Sequence, residues 1–139
     1  VLFRSVNITS GSLTTAADKI TAAINNVADL IFKSGINQNA ITGTGTTKIT
    51  GDVENVGTIN QSKIQIADTA SLTSNASDLT AEIENANQLN LTGGVNNNII
   101  TGGGHGKASD CIKCGKCEKV CPQHLPIREL LGDVAKTFE

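Results

Sequence analysis

Ile49-Thr50-Gly51-Asp52-Val53-Glu54-Asn55 recurs as Ile20-Thr21-Ala22-Ala23-Ile24-Asn25-Asn26 and as Leu79-Thr80-Ala81-Glu82-Ile83-Glu84-Asn85, at offsets of 29 and 30 in the numbering. A longer match contains these copies: Ser12 to Gly45 aligns without gaps on Ser71 to Gly104 at an offset of 59, with nearly half of the positions identical. Fixed periods of this size signal a stacked-repeat architecture. Lys48-Ile49-Thr50-Gly51-Asp52-Val53, Lys63-Ile64-Gln65-Ile66 and Gln88-Leu89-Asn90-Leu91-Thr92 alternate apolar and polar residues, and clusters of Gly, Asn and Asp separate them. Short strands joined by tight turns follow. Coils of such strands bury a narrow aliphatic core and can align Asn and Thr in ladders from one coil to the next. The expected fold is therefore mostly β: a right-handed β-solenoid-like repeat region over residues 6–104.

The composition agrees with a thin interior. The chain has no Trp, Tyr or Met and only three Phe, while Gly, Asn, Thr, Ser, Ala and Ile dominate. A compact globule normally fills its core with large aromatic side chains. Residues 14–33 are ambiguous: Ala16, Ala17, Ile20, Ala23, Ile24, Val27, Leu30 and Ile31 fall at helical spacing, but the aligned copy from Thr73 to Thr92 is polar at several of these positions and favours strand. A net charge of −2 and a pI near 5.6 exclude a basic nucleic-acid-binding face, and no apolar run reaches the length of a membrane span. Without an initiator Met or a signal peptide the chain reads as a fragment. Val1-Leu2-Phe3-Arg4-Ser5 is similar to the translation of a sequencing-library adapter. The Asn-x-Ser/Thr triplets at Asn7, Asn60, Asn75 and Asn90 are expected by composition alone. His105, among glycines, reads as a linker residue.

All four cysteines lie in Cys111-Ile112-Lys113-Cys114-Gly115-Lys116-Cys117-Glu118-Lys119-Val120-Cys121-Pro122, the pattern C-x2-C-x2-C-x3-C-P. Two-residue spacers let one tight loop aim several thiolates inward, as a [4Fe–4S] cluster requires. Gly115 suits such a loop, and Lys113, Lys116 and Lys119 would offset the negative charge of cluster and thiolates. Structural zinc sites usually separate two C-x2-C pairs by a dozen or more residues, and disulfide scaffolds scatter their cysteines; both suit these gaps less well. Beyond the loop, Pro126 fits a first helical turn, and Ile127, Leu130, Leu131, Val134 and Phe138 make one apolar face. Gly132 costs that helix roughly 1 kcal/mol. His124 is placed to cap or pack against it.

Two resemblances extend this reading. Residues 6–104 resemble the Asn/Thr/Gly-rich passenger repeats of bacterial autotransporter or adhesin-type surface proteins, which implies an extracellular structural role. Ala108 to Cys121-Pro122-Gln123-His124-Leu125-Pro126-Ile127-Arg128-Glu129-Leu130-Leu131 resembles the C-terminal 4Fe-4S ferredoxin-type tail of bacterial aldo/keto-reductase-like proteins. That likeness covers residues 105–139 and implies that Cys111, Cys114, Cys117 and Cys121 ligate the cluster, in a cysteine loop plus α-helix that is half of a ferredoxin-like domain. In that family this motif is the second of two. Where motifs are paired, the cysteine before the proline serves the other cluster. No cysteine precedes Cys111 here, so Cys121 either closes the same cluster or stays free, its place taken by solvent or another chain. The family's barrel cannot fit in 139 residues and there is no tyrosine to act as its catalytic acid, so no enzymatic activity is expected.

The functional expectation is [4Fe–4S] binding and electron transfer by the C-terminal segment, toward a redox partner that the sequence does not identify. The alternative is a structural fragment of a surface adhesin with an inactive tail. A functional cluster implies the cytoplasm, a dominant repeat region the cell surface or a secreted protein. That conflict, the repeat breaking off at Gly102-Gly103-Gly104 and the missing partner motif are the marks of a chimeric reading frame. Uncapped solenoid ends are expected to self-associate.

Overall fold

The computed structural model describes residues 5–102 and 108–138. The chain divides into two units, Val1–Gly103 and Gly104–Glu139. Val1 to Arg4, the repeat break at Gly103 and Gly104, and His105 lie outside the described residues.

The first unit is a parallel β-solenoid. Its first face carries β1 (Ser5–Ile8), β3 (Ala23–Asn26), β6 (Ile41–Thr42) and the starts of β9 (Ile59–Ile66) and β11 (Leu79–Asn85). The second carries β2 (Ser12–Thr15), β4 (Asp29–Phe32), β7 (Thr46–Ile49), the ends of β9 and β11, and β13 (Ile100–Gly102). The third is a separate four-stranded sheet of β5 (Gly35–Asn37), β8 (Asp52–Asn55), β10 (Ser71–Asn75) and β12 (Gln88–Thr92). Because β9 and β11 run unbroken from the first face to the second, those two faces form one nine-stranded sheet. All described pairings are parallel, since each strand meets its counterpart one coil later.

Alternation drives each rung. In β8 the side chains of Val53 and Asn55 are buried while Asp52 and Glu54 are exposed, as a pleat with one covered face requires. Inward residues then stack in register: Ile24, Ile41, Ile59 and Leu79 on the first face, and Leu30, Thr47, Ile64 and Ile83 on the second, all buried. Each isoleucine or leucine so covered contributes about 1.5–3 kcal/mol. Residues 14–33 fold as the strand reading expected, into β2, β3 and β4 with one 3-10 turn at Ala17–Lys19.

The period differs from the expected one. One coil carries the chain from Ser12 to its partner Asp29, or from Ile59 to its partner Leu79, which is well short of the offsets of 29, 30 and 59 at which the sequence matches itself. The repeated stretch is a strand-and-corner unit used on all three faces: Ile24 stands on the first, Val53 on the third and Ile83 on the second. For the same reason Lys48 to Val53 is no single strand but a corner, with β7 ending at Ile49 and β8 beginning at Asp52.

The corners hold polar ladders. Asn37 Nδ2 donates to Asn55 Oδ1 at 2.7 Å and Asn55 Nδ2 to Ser74 Oγ at 3.0 Å, all three side chains being buried. A second bridge skips a coil: Asn26 Nδ2 donates to Gln61 Oε1 at 2.7 Å, and Gln61 Nε2 to the Gly43 carbonyl at 3.0 Å. Gly43, at φ +109°, makes this possible, because a Cβ there would collide with the Asn26 carbonyl oxygen.

Thr47 departs from its stack. Its hydroxyl is buried between the levels of Leu30 and Ile64 and has no hydrogen-bond partner among the described residues. An unsatisfied buried hydroxyl costs about 1–3 kcal/mol, so Thr47→Val is expected to raise stability, read as a higher urea midpoint, by an amount in that range; a lower midpoint would mean that the hydroxyl is bonded after all.

Candidate metal centre

The described part of the second unit opens on a 3-10 turn at Ala108–Asp110, and the Cys111 N–H donates back to the Ala108 carbonyl at 3.3 Å. The chain then runs irregularly to Gly115, bending through left-handed backbone at Lys113 (φ +55°) and Gly115 (φ +70°). Glycine adopts that conformation without the penalty a Cβ brings. Gly115 is the N-cap of α1 (Lys116–Val120), which places Cys117 in the helix and Cys121 at its C-cap. A turn through Pro122 and Gln123 follows, with His124 at φ +52° and its N–H donating to the Cys121 carbonyl at 3.1 Å. The chain enters α2 (Ile127–Phe138) as the Pro126 carbonyl accepts from the Leu130 N–H at 3.1 Å. The expected helix is present, although the side chain of Phe138 lies outside the described residues.

The cap on α2 comes from α1. Glu118 Oε1 accepts from the Arg128 backbone N–H at 2.9 Å, and Glu118 Oε2 accepts from Arg128 Nε and Nη2, each at 2.8 Å. One carboxylate thus satisfies an otherwise open helix-end donor and forms a forked ion pair. The Arg128 guanidinium in turn covers Gly115, whose missing Cβ would meet Cζ at 3.7 Å. This clamp joins loop, first helix and second helix. His124, expected to cap or pack against α2, does not supply this cap; it lines an open groove beside α2, shared with Lys113 and Lys136. The only sequence trace of the clamp is a distant pair of opposite charges, without periodicity to mark it.

All four thiols are free and none is buried. Cys121 is the most specifically placed. The backbone N–H groups of Leu125, Gln123 and His124 donate toward its sulfur, and together they hold its thiol below the ordinary cysteine value against the opposing effect of partial burial. A fold of successive N–H groups around an anion is a recurring anion nest, and a readily formed thiolate is the form that binds metal. The hydrogen bond to Glu118 above all favours the charged Arg128 guanidinium. As a donor set, four accessible thiols with N–H donors on one of them suit an iron–sulfur cluster. They are not gathered: among the described residues no three His, Cys, Asp or Glu side chains stand close enough together to hold a metal ion.

The described residues of the second unit form no interior. No described residue from 108 to 138 is buried, and chains below about 40 residues usually need a metal, disulfides or association to fold stably. Leu130 and Val134, on the apolar face of α2, are 47% and 43% exposed.

A family model for the 4Fe-4S dicluster domain matches residues 67–126, less than half of the chain. No curated protein and no solved structure matches the chain. The match supports a ferredoxin-type segment with a [4Fe–4S] cluster as its cofactor. Its first part lies on the last coils of the solenoid, and residues 67–110 contain no cysteine. The matched stretch therefore holds one four-cysteine run, Cys111 to Cys121. No helix among the described residues is long and apolar enough to cross a membrane.

The clamp has a pH signature. Hydrogen bonds from the Arg128 side chain and then its backbone N–H hold Glu118 below the usual glutamate value. A group whose pKa falls on folding adds stability above its unfolded pKa and loses it as pH drops through the folded one. The protection factor of the Arg128 amide, its exchange rate relative to an unstructured amide at the same pH, is expected to be raised at neutral pH and to fall on acidification below the ordinary glutamate range; Glu118→Gln should lower it at neutral pH and remove that dependence.

Proposed function

We propose that the second unit binds a [4Fe–4S] cluster through Cys111, Cys114, Cys117 and Cys121 and serves as a one-electron carrier appended to the solenoid. The observation that carries this reading is the C-x2-C-x2-C-x3-C-P run inside the stretch matched by the 4Fe-4S dicluster family. When bound, such a cluster supplies one-electron redox chemistry at a potential set by hydrogen bonds to its sulfurs, net charge and exposure. The chain's own part is to hold and tune. The N–H groups of Leu125, Gln123 and His124 at the Cys121 sulfur favour the anionic thiolate, and Lys113, Lys116 and Lys119 place positive charge in and beside the loop.

The likeness to an aldo/keto-reductase tail concerns residues 105–139 alone, and reductase chemistry is no part of the proposal because the chain has no tyrosine. A carrier of this kind belongs in a reducing compartment, the cytoplasm. Nothing in the comparisons supports the surface-adhesin alternative.

Iron, zinc and acid-labile sulfide per chain, measured after anaerobic reconstitution beside a Cys114→Ser variant, test the reading. About four iron and four sulfide per chain, lost in the variant, are expected for this cluster type. Zinc in their place, or no metal, would overturn it.

A further inference from the structure

We propose that the last coil of the solenoid, residues 88–102, is a docking edge for a second copy of this chain: β12 pairs antiparallel with β12 of the second copy about a two-fold axis at Asn90, and the two apolar cores meet end to end.

This edge is open in backbone and side chains alike. Among the described strands β12 pairs with β10 alone and β13 with β11 alone, so the far side of the last coil presents N–H and C=O groups with no described strand to receive them. Such an edge is a template for another strand. The core ends there uncovered. Ile100 stacks on Ile83 and Leu91 on Ser74, in register; Ile83 and Ser74 are buried, while Ile100 is 45% and Leu91 37% exposed. Val95 and Ile99, on the connection between β12 and β13, are exposed as well. The edge stands inside the sequence, with residues 103–139 following it.

Charge decides what fits. Residues 88–102 contain no Asp, Glu, Lys, Arg or Pro, whereas the coil before carries Asp78, Glu82 and Glu84, and the one before that Asp52, Glu54, Lys63 and Asp68. Natural edge strands use charges and prolines to refuse partners; this one carries neither. Its complement is an uncharged strand edge with apolar residues along one side, which the same edge of a second copy supplies. Two-fold symmetry reverses the strand, as antiparallel pairing needs, and closes the assembly at two chains. Asn90 is the centre of the five-residue β12. With the axis there, Leu89 meets Leu91 of the second copy on the inner side, and the two Asn90 side chains meet on the outer side, where each donates to its own Thr73 Oγ1 at 3.2 Å. That axis also exchanges the first and second faces. Asn98 donates to the Leu79 carbonyl on the first face, so β13 of each copy comes to lie over the stretch of the other that bears Val95 and Ile99.

Sedimentation equilibrium of the full-length chain, before and after anaerobic reconstitution, tests this. The wild type is expected at twice 14.4 kDa in both states. Leu91→Lys would bury two unpaired ammonium groups at the junction and should leave only monomer, with the far-UV circular dichroism of the wild type. Asn90→Lys and Asn90→Asp each set like charges opposite one another and should weaken the dimer about two- to fivefold; mixed in equal amounts, they should form the dimer with one chain of each kind in preference to either homodimer, as read by native mass spectrometry. Asn25→Lys, exposed on the first face away from the edge, should dimerise like the wild type.

A monomeric wild type would overturn the proposal. So would a dimer that forms only after reconstitution, since the contact would then belong to the second unit, or oligomers that keep growing with concentration, which mark head-to-tail stacking. Were Leu91→Lys to unfold, the Asn90 pair decides: a mixture without preference for the mixed dimer would place the contact elsewhere.

Discussion

Every coil of the solenoid must set its inward side chain on the one laid down a coil earlier. That constraint holds the first unit together, because its core has no aromatic cluster to do so; Phe32 is the one aromatic residue in it among the described residues. The energy comes from many small increments: an aliphatic side chain covered at most rungs, such as Ile24, Ile41, Ile64 and Leu72, plus the parallel backbone ladder between rungs. Corners then have to absorb every irregularity in coil length. They do so with asparagines that bond both to the next coil and to a carbonyl two residues on, as Asn37 does with Asn55 and with Asn39.

The second unit obeys a different economy. None of its described residues is buried, and a charged clamp, Glu118 with Arg128, ties its two helices together. Exposed ion pairs contribute little to stability. Metal ligation contributes far more, and in small metal-binding units it is the folding energy itself. The clamp is thus best understood as an aligner. It fixes where α2 starts relative to α1, and with it the direction in which Cys117 and Cys121 are presented.

Much of this was legible in the sequence, and the failures have definite causes. Alternation in Lys63 to Ile66 and Gln88 to Thr92 marked strands because a half-covered pleat admits no other pattern, and consistency among copies correctly outweighed the helical spacing of Ala16 to Ile31. The coil length was hidden. Corners on different faces need the same small and polar residues, so the best self-match joined Ile24, Val53 and Ile83, which never stack on one another. The true step shows in Ile24, Ile41 and Ile59, single positions with little likeness around them. In the second unit the C-x2-C-x2-C-x3-C-P spacing pointed to an iron–sulfur cluster because few ligand chemistries use that pattern. The Glu118–Arg128 clamp did not, because it depends on the turn between the helices and follows no period.

The Asn26–Gln61 bridge carries one further consequence. Repeat proteins ordinarily come apart one unit at a time, since each repeat holds only its neighbours. Here a side chain reaches past the coil of Gly43 to grip the coil beyond it, and the three turns involved share one polar strut. Fraying that starts at the β13 end would therefore halt at Gln61, where the next turn to leave takes a two-turn connection with it. The early coils would then open together, as a single block.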